Sequence, residues 1–459
     1  MTVVSPIHTA RSFRSAATAG PSGRPSDDTA ECTVVASDEG VPLVTGERVE
    51  YANFDYAASA PCLSPVADAL SDALPYYASV HRGAGHHSQV STDAYERARR
   101  SVARFLGARS EPADAVVFVR GTTDALNLLA RSVPEGCTVV VFETEHHAAL
   151  LPWEHPAASA GTVVRLPLPP TAEAAVEAAR TALREAPEGP RLLCVTAASN
   201  VTGEIWPVTE LVAAAHAEGA RVVVDAAQYV PHLPFSLEAT GADYVALSAH
   251  KLYAPFGSGV LAGRADWLRE ATPYLSGGGA TRLVTEHDVV WNDLPARHEA
   301  GSPNVLGAVA LAAACDTLTP ATQELLHIRE SALLERLRAG LAGIGGVTEL
   351  TLWGDEHPRV GIVSFTVDGL PADLLAAALS AEHGIGVRDG LFCAHPLTRH
   401  LLPEGHTQAV RASLGVGTTV EHVDRLVGAV ADLVAHGPGW EYADCDGRLA
   451  PVPDPRNVL

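Results

Sequence analysis

"SAHKLYAPFG" (residues 248–257) decides how the rest of this chain is read. It holds Lys251, the single lysine in a 459-residue sequence whose Lys and Arg together number 32. Its first three residues close "DYVALSAH" (243–250), an apolar run of strand character. A lysine at the end of a buried strand, against apolar walls, has a lowered pKa, and its neutral amine is a nucleophile. Arginine carries charge but cannot form an imine, so a retained lysine in an arginine-rich chain points to imine chemistry. The plain alternatives are an exposed lysine and a base-composition bias that makes lysine rare everywhere.

Around this stretch a repeating grammar runs in both directions. "AVVFVRG" (115–121), "TVVVFE" (138–143), "GTVVRLPL" (161–168), "RLLCVTAAS" (191–199) and "ARVVVDAAQ" (220–228) read as strands. "TTDALNLLARSV" (122–133) and "VTELVAAAHAEG" (208–219) read as helices. The strands are continuously apolar, which implies burial on both faces. Strands alternating with helices imply a mostly parallel sheet with right-handed crossovers, an α/β fold. After about residue 310 the grammar changes. "ATQELLHIRESALLERLRAGLAGI" (321–344) is a long helix, and "RVGIVSFTVDG", "GIGVRDG" and "AVRASLGVG" are strands around the helix "PADLLAAALSAEHG". "TVEHVDRLVGAVADLVAHG" (419–437) is a final helix. The expected organisation is a flexible tail over 1–45, a large α/β domain over 46–310 whose first part packs on the small domain, a small α+β domain over 311–440, and an irregular Pro-rich tail over 441–459.

Composition narrows the function classes. A net charge of −22 argues against nucleic acid or an anionic membrane as partner. No apolar run reaches the ~20 residues of a membrane helix. Seven cysteines, an odd number without CxxC or Cys/His zinc spacing, fit a reducing cytoplasm better than a disulfide framework. The 20 histidines include "HRGAGHH" (81–87), but no accompanying Cys or carboxylate spacing supports a metal site. The first 26 residues lack acidic side chains and contain several Arg and Ser, as a transit peptide can; a plain tail is the simpler reading.

In parallel α/β sheets, ligands bind at the carboxyl ends of strands, and the polar residues fall there. Thr122 and Thr123 open a helix after "VRG", a place suited to phosphate, though threonine is also an ordinary helix cap. Asp225 ends a hydrophobic strand, where a carboxylate needs a cation or a donor. Ser248, His250 and Lys251 end the next. An imine-forming lysine, an acid to keep a pyridine nitrogen protonated and a phosphate-binding helix start together suit pyridoxal phosphate.

At this point the sequence resembles the class V, fold-type I pyridoxal-phosphate enzymes, and most of all the SufS-like cysteine desulfurases and selenocysteine lyases. The resemblance runs from "YANFDYAASAP" to "RLVGAVADL" through "FVRGTTDALNLLA", "EHHAALLPW", "SNVTGEIWPV", "VVVDAAQ", "SAHKLYAPFGSGVL", "LSGGG", "RHEAGSPN", "FCAHPL" and "VRASLGV". It implies that Lys251 carries the cofactor as an imine, Asp225 pairs with the pyridinium nitrogen, and His147 stacks on the ring. Asn200 and Gln228 would lie near the phenolic oxygen; Thr122, Thr123, Ser248 and His250 would hold the phosphate. Ser302 would reach the phosphate of a neighbouring subunit in a homodimer. Arg411 would bind the substrate carboxylate, and Asn200 would contact the substrate too. Cys393 would attack the sulfur of bound cysteine, leaving alanine and a persulfide for a sulfur-acceptor protein, with His395 nearby to help form the thiolate.

The chain also departs from the pattern. Ala149 replaces a frequent Asn, Ala254 a usual Gly, and Gly85 a frequent His. The alternatives are therefore a class V aminotransferase, epimerase or C–S lyase acting on another amino substrate, in which Cys393 is dispensable, or a non-catalytic relative, against which Lys251 and Asp225 argue.

Overall fold

The computed structural model describes residues 32–35, 40–255 and 257–456. Seven strands form the central sheet: β1 (Ala115–Val119), β2 (Cys137–Phe142), β3 (Ala160–Leu166), β4 (Arg191–Thr196), β5 (Arg221–Asp225), β6 (Tyr244–Ser248) and β7 (Gly259–Gly263). Their order across the sheet is β1-β7-β6-β5-β4-β2-β3. Strands β2 to β6 run parallel, and β7 alone is antiparallel to its neighbours β6 and β1. Every residue of β2, β6 and β7 is buried, the continuous apolar pattern having required cover on both faces.

Helices Ala172–Glu185 and Val208–Ala217 pack together on one face, contributing Ala175, Ala179, Leu183, Leu211 and Val212 to the main core. Helices Ser64–Ala73, His86–Phe105 and Val305–Thr317 pack against one another. The last two are not marked by a clear apolar stripe. Val305–Thr317 is apolar nearly all round, and His86–Phe105 buries Ser88, Ser91 and Ser101 beside Tyr95, Ala98 and Val102.

The small domain is an antiparallel sheet in the order Val347–Glu349, Ile362–Val367, Ala409–Ser413, Arg388–Gly390. Helices Pro320–Ala342, Ala372–His383 and Val420–His436 supply its core with Leu337, Leu379, Leu426 and Val430. Ala52 and Phe54 belong to that core, and Ala52–Asn53 pairs with Ile385–Gly386, so the start of the large domain does pack on the small one.

Both expected tails are shorter than their sequence boundaries. Residues 1–31, with the transit-peptide reading, lie outside the described residues. Buried Cys32 and Val34 are part of the main core, and Gly40–Pro42 pairs with Arg48–Glu50. At the other end, Tyr442–Cys445 and Arg448–Pro451 form a hairpin rather than an irregular tail. Asp446 and Gly447 make its turn, both with positive φ, as an Asp-Gly hairpin turn requires. The Tyr442 hydroxyl and the Gly439 amide, both 2.8 Å away, donate to Glu382 and anchor it to the small domain. No single helix among the described residues is long and apolar enough to cross a membrane.

Candidate active site

The carboxyl ends of β1, β4, β5 and β6 open on one cavity of about 170 Å³, closed on the far side by small-domain residues. Thr122 and Thr123 enter it from the turn after β1, Asn200 from the loop after β4, Asp225 from the end of β5 and Gln228 from the turn after it, Ser248 from the end of β6 and His250 and Lys251 from the turn that follows. Arg411 comes from a small-domain strand. Nine of the residues expected from sequence thus share one cavity.

The phosphate end is built by close approach. The Thr122 amide and hydroxyl lie 2.8 and 2.9 Å from the Ser248 hydroxyl, at the start of helix Thr122–Ala130. A Cβ on Gly259 would sit 2.4 Å from the Gly121 Cα, so only glycine lets β7 lie against this turn. Such a helix start, with hydroxyls converging on it, is a site for an anion.

The amine end is electrostatic. Burial lowers the Lys251 ammonium from 10.5 to about 8; Asp225 opposes that shift, and Arg411 and Arg388 add to it. Burial raises the Asp225 carboxyl, against the Ala227 amide that donates to its Oδ1 at 3.0 Å and the nearby Lys251. Gln228 donates to the Ala57 carbonyl at 2.8 Å, and burial followed by Lys251 lowers the His250 imidazole.

Arg411 is 2% exposed. Its Nη1 donates to the Asn200 carbonyl at 3.0 Å and its Nη2 to Asp55 at 3.3 Å, while its Nε has no partner. Burial lowers its pKa to about 10, opposed by Asp55. A buried guanidinium with a spare N–H is suited to a carboxylate.

His147 does not line the cavity; the adjacent His146 does. His146 is the N-cap of the short helix His147–Leu150, its Nδ1 accepting from the Ala148 amide at 3.0 Å, and this cap turns its ring inward. Burial first, then Lys251, lowers its pKa to about 3, so the ring is neutral. The His147 ring instead packs edge-on against His395 at 4.4 Å, and its amide donates to the Cys393 carbonyl at 2.8 Å. In a doublet of identical residues, sequence spacing does not say which one the cap turns inward.

Cys393 is partly buried and is not among the residues lining the cavity; it follows the cavity-lining Phe392, and its carbonyl accepts from the amide of His147. Phe392 and Cys393 both have left-handed backbones, φ 52° and 55°. Two such residues in succession cost ~1–3 kcal/mol each and persist only where the surroundings hold them. Here Asn200 Nδ2 grips the Phe392 carbonyl at 2.7 Å. Arg388, unremarked in the sequence because the chain is full of arginines, lines the cavity with its Nη2 3.9 Å from the Cys393 sulfur. Ser302 is exposed and lies outside the cavity of its own chain. Among the described residues no three His, Cys, Asp or Glu side chains are placed to hold a metal ion; His81 of "HRGAGHH" pairs with Glu96.

Comparison with known proteins gives this geometry a lineage. Residues 52–426 match the family model of the class-V aminotransferases. A cysteine desulfurase from Pectobacterium atrosepticum is 38% identical over 391 residues, spanning 84% of this chain and 93% of its own. A probable cysteine desulfurase from Vibrio cholerae is 36% identical over 402 residues, spanning 85% and 95%. The apo structure of a cysteine desulfurase from Thermococcus onnurineus superposes with a TM-score of 0.75 at 34% identity, covering 84% of this chain and 95% of that one. The Escherichia coli cysteine desulfurase CsdA, in an S-sulfonic acid form, superposes with a TM-score of 0.72 at 31% identity over the same shares.

The chain belongs to the class-V aminotransferase family, on its cysteine desulfurase branch.

Class-V enzymes of this kind are generally pyridoxal-phosphate-dependent, and the donor set fits the group. A buried amine of lowered pKa, a buried carboxylate 26 residues before it and a hydroxyl-lined helix start meet in one cavity.

Proposed function

We propose that this class-V enzyme is a cysteine desulfurase whose sulfur-accepting group is Cys393. The observation that carries the reading is the placement of Cys393 on a strained loop, next to Phe392 and 3.9 Å from Arg388, both of which line the cavity that holds Lys251 and Arg411. Pyridoxal phosphate, when bound, supplies an aldehyde that condenses with amines and a ring that takes up electrons from the substrate carbons. Lys251 would hold it through its amine, Asp225 would pair with the ring nitrogen, and Thr122, Thr123, Ser248 and His250 would hold the phosphate. Gln228 and Asn200 would serve the ring oxygen.

The remaining chemistry belongs to side chains of this chain. Arg411 binds the carboxylate of L-cysteine through its free N–H and so fixes which way the side chain points. His146, neutral and inward, would face the ring in the place first expected of His147; because its Nδ1 accepts from the Ala148 amide, its ring proton sits on Nε2, the atom from which it can donate. Cys393 attacks the substrate sulfur as a thiolate. An S–S bond forms, the substrate C–S bond breaks with its electron pair left on carbon, and protonation there gives alanine. The guanidinium of Arg388 stands beside the sulfur, its Nη2 3.9 Å from it. The products are alanine and a persulfide on Cys393, which a sulfur-acceptor protein or a small thiol then discharges.

Two copies complete the site, Ser302 of each reaching toward the phosphate of the other. The experiment is direct. Holoenzyme given L-cysteine and a reductant releases alanine and sulfide in equal amounts, and Cys393→Ser lowers the rate by ~10²-fold or more with the cofactor absorption intact. A Cys393→Ser protein of normal rate with cysteine would rule the reading out and return the class-V alternatives, transamination or elimination.

A further inference from the structure

Glu204 is fully buried on the loop that follows β4, three residues after the Asn200–Val201 pair, and the expected chemistry does not use it. Its carboxylate belongs to the large domain, but its partners are mostly in the small one. The Leu352 amide donates to it at 3.0 Å and the Trp353 amide at 2.7 Å, while the Thr202 hydroxyl donates at 2.6 Å. Arg359 stands 4.0 Å away. The same loop is joined to the small domain through its backbone. Val360 donates to the Gly203 carbonyl at 2.9 Å and the Ser364 hydroxyl to the Val201 carbonyl at 2.5 Å. Gly203 has φ +73°, and a Cβ there would lie 2.8 Å from the Val360 carbonyl.

The other end of the loop reaches the active site. The Asn200 carbonyl accepts from Arg411, and its side-chain amide holds the Phe392 carbonyl. Ser364, which grips Val201, is the cross-strand partner of Arg411 in the small sheet. Arg411 rides on the small domain and Lys251 on the large one. A single amino acid must span them, with its carboxylate on the first and its amine at the second. The register between the two domains is therefore part of the binding site, and the Glu204 loop sets it.

We propose that Glu204 is a positioning residue for the substrate carboxylate, acting through the Asn200 loop on Arg411; this rests on the reading that Arg411 binds that carboxylate. A carboxylate is needed because the groups around it are donors. Glutamine turns an N–H₂ toward one of them and leaves a buried amide unpaired.

The test is a double-mutant cycle on holoenzyme between Glu204→Gln and Arg411→Lys. The readout is the Kd of L-alanine, which has the carboxylate but no sulfur, followed by the cofactor absorption. Glu204→Gln is expected to raise that Kd about five-fold or more, with pyridoxal phosphate affinity within about two-fold of wild type and little further effect in the Arg411→Lys background. An unchanged Kd, a parallel loss of cofactor affinity, or additive effects would overturn the proposal. An Arg411→Lys protein with wild-type Kd overturns the Arg411 reading and this proposal together. If Glu204→Gln fails to fold, Gly203→Ala shifts the same loop through its backbone, and it must raise the Kd in the same way; a wild-type Kd there overturns the proposal. Turnover of L-cysteine is assayed separately: its absence in wild type removes the desulfurase reading, and the cycle still decides Glu204.

Discussion

A lysine that must react as a free amine gains from a lowered pKa, and the surroundings of Lys251 lower it mainly by burial. The sign follows directly. With the pKa lowered from 10.5 to about 8, the neutral fraction grows as pH rises through 8 instead of through 10. The rate at which apo-protein gains the cofactor's visible absorption therefore climbs with a midpoint near pH 8 and levels above it. Asp225 raises the Lys251 value, so Asp225→Asn moves that midpoint lower; a midpoint near 10 would show that the amine is not buried. His146 and His147 are separated by a second comparison. His146→Ala is expected to lower turnover by ~10²-fold, within the range for a positioned acid or base, and His147→Ala by only a few-fold. Equal losses would place both rings in the mechanism. Lys251 was legible in the sequence because it is unique, and Asp225 because a carboxylate closing an apolar strand needs a reason. Arg388 and His146 were not, one lost among many arginines and the other hidden in a doublet.

At the scale of elements, the site is a set of strand ends, which is why so much of it could be read before the structure. An apolar run that stops in a polar residue marks a carboxyl end, and β1, β4, β5 and β6 each do so. The close packing of β7 against the Gly121 turn carries a prediction. Gly259→Ala overpacks that contact, with a cost of ~1–3 kcal/mol, and the displaced turn should weaken cofactor binding about ten-fold or more. Fluorescence titration of apo-protein with pyridoxal phosphate checks it; an unchanged Kd would mean the turn does not hold the phosphate. Elements whose buried face is not a plain apolar stripe were the illegible ones. Val305–Thr317 is buried on most sides and shows no stripe, and His86–Phe105 buries serines that read as surface. The terminal hairpin did carry its Asp-Gly signal, outweighed in the sequence by the surrounding prolines.

At the scale of the whole molecule, two junctions matter. One is the seam between domains, where Trp206 of the large domain packs on Trp353 of the small one, ring centroids 4.9 Å apart. Its alignment could not be read from sequence, because the loops that form it are far apart in the chain and lack a pattern. The other is the surface. The hairpin Thr281–Val284 with Val289–Trp291 exposes Leu283 at 54%, Val284 at 62% and Val289 at 44%. Apolar residues gathered on a projecting hairpin are an interface signature. Leu283→Glu combined with Val284→Asp is expected to turn a dimer into a monomer by light scattering. If Ser302 of a second copy completes the site as proposed, the variant lowers cofactor affinity as well. A monomeric wild type, or a monomeric variant with full cofactor affinity, would contradict the shared site.

The central claim is that Cys393 carries the sulfur, and mass spectrometry on holoenzyme treated briefly with L-cysteine and without reductant tests it most directly. The account predicts that the peptide containing Cys393 gains the mass of one sulfur atom, that dithiothreitol removes it, and that Lys251→Ala never acquires it. Alanine formed while Cys393 stays unmodified, or sulfur found on another cysteine in its place, would contradict it.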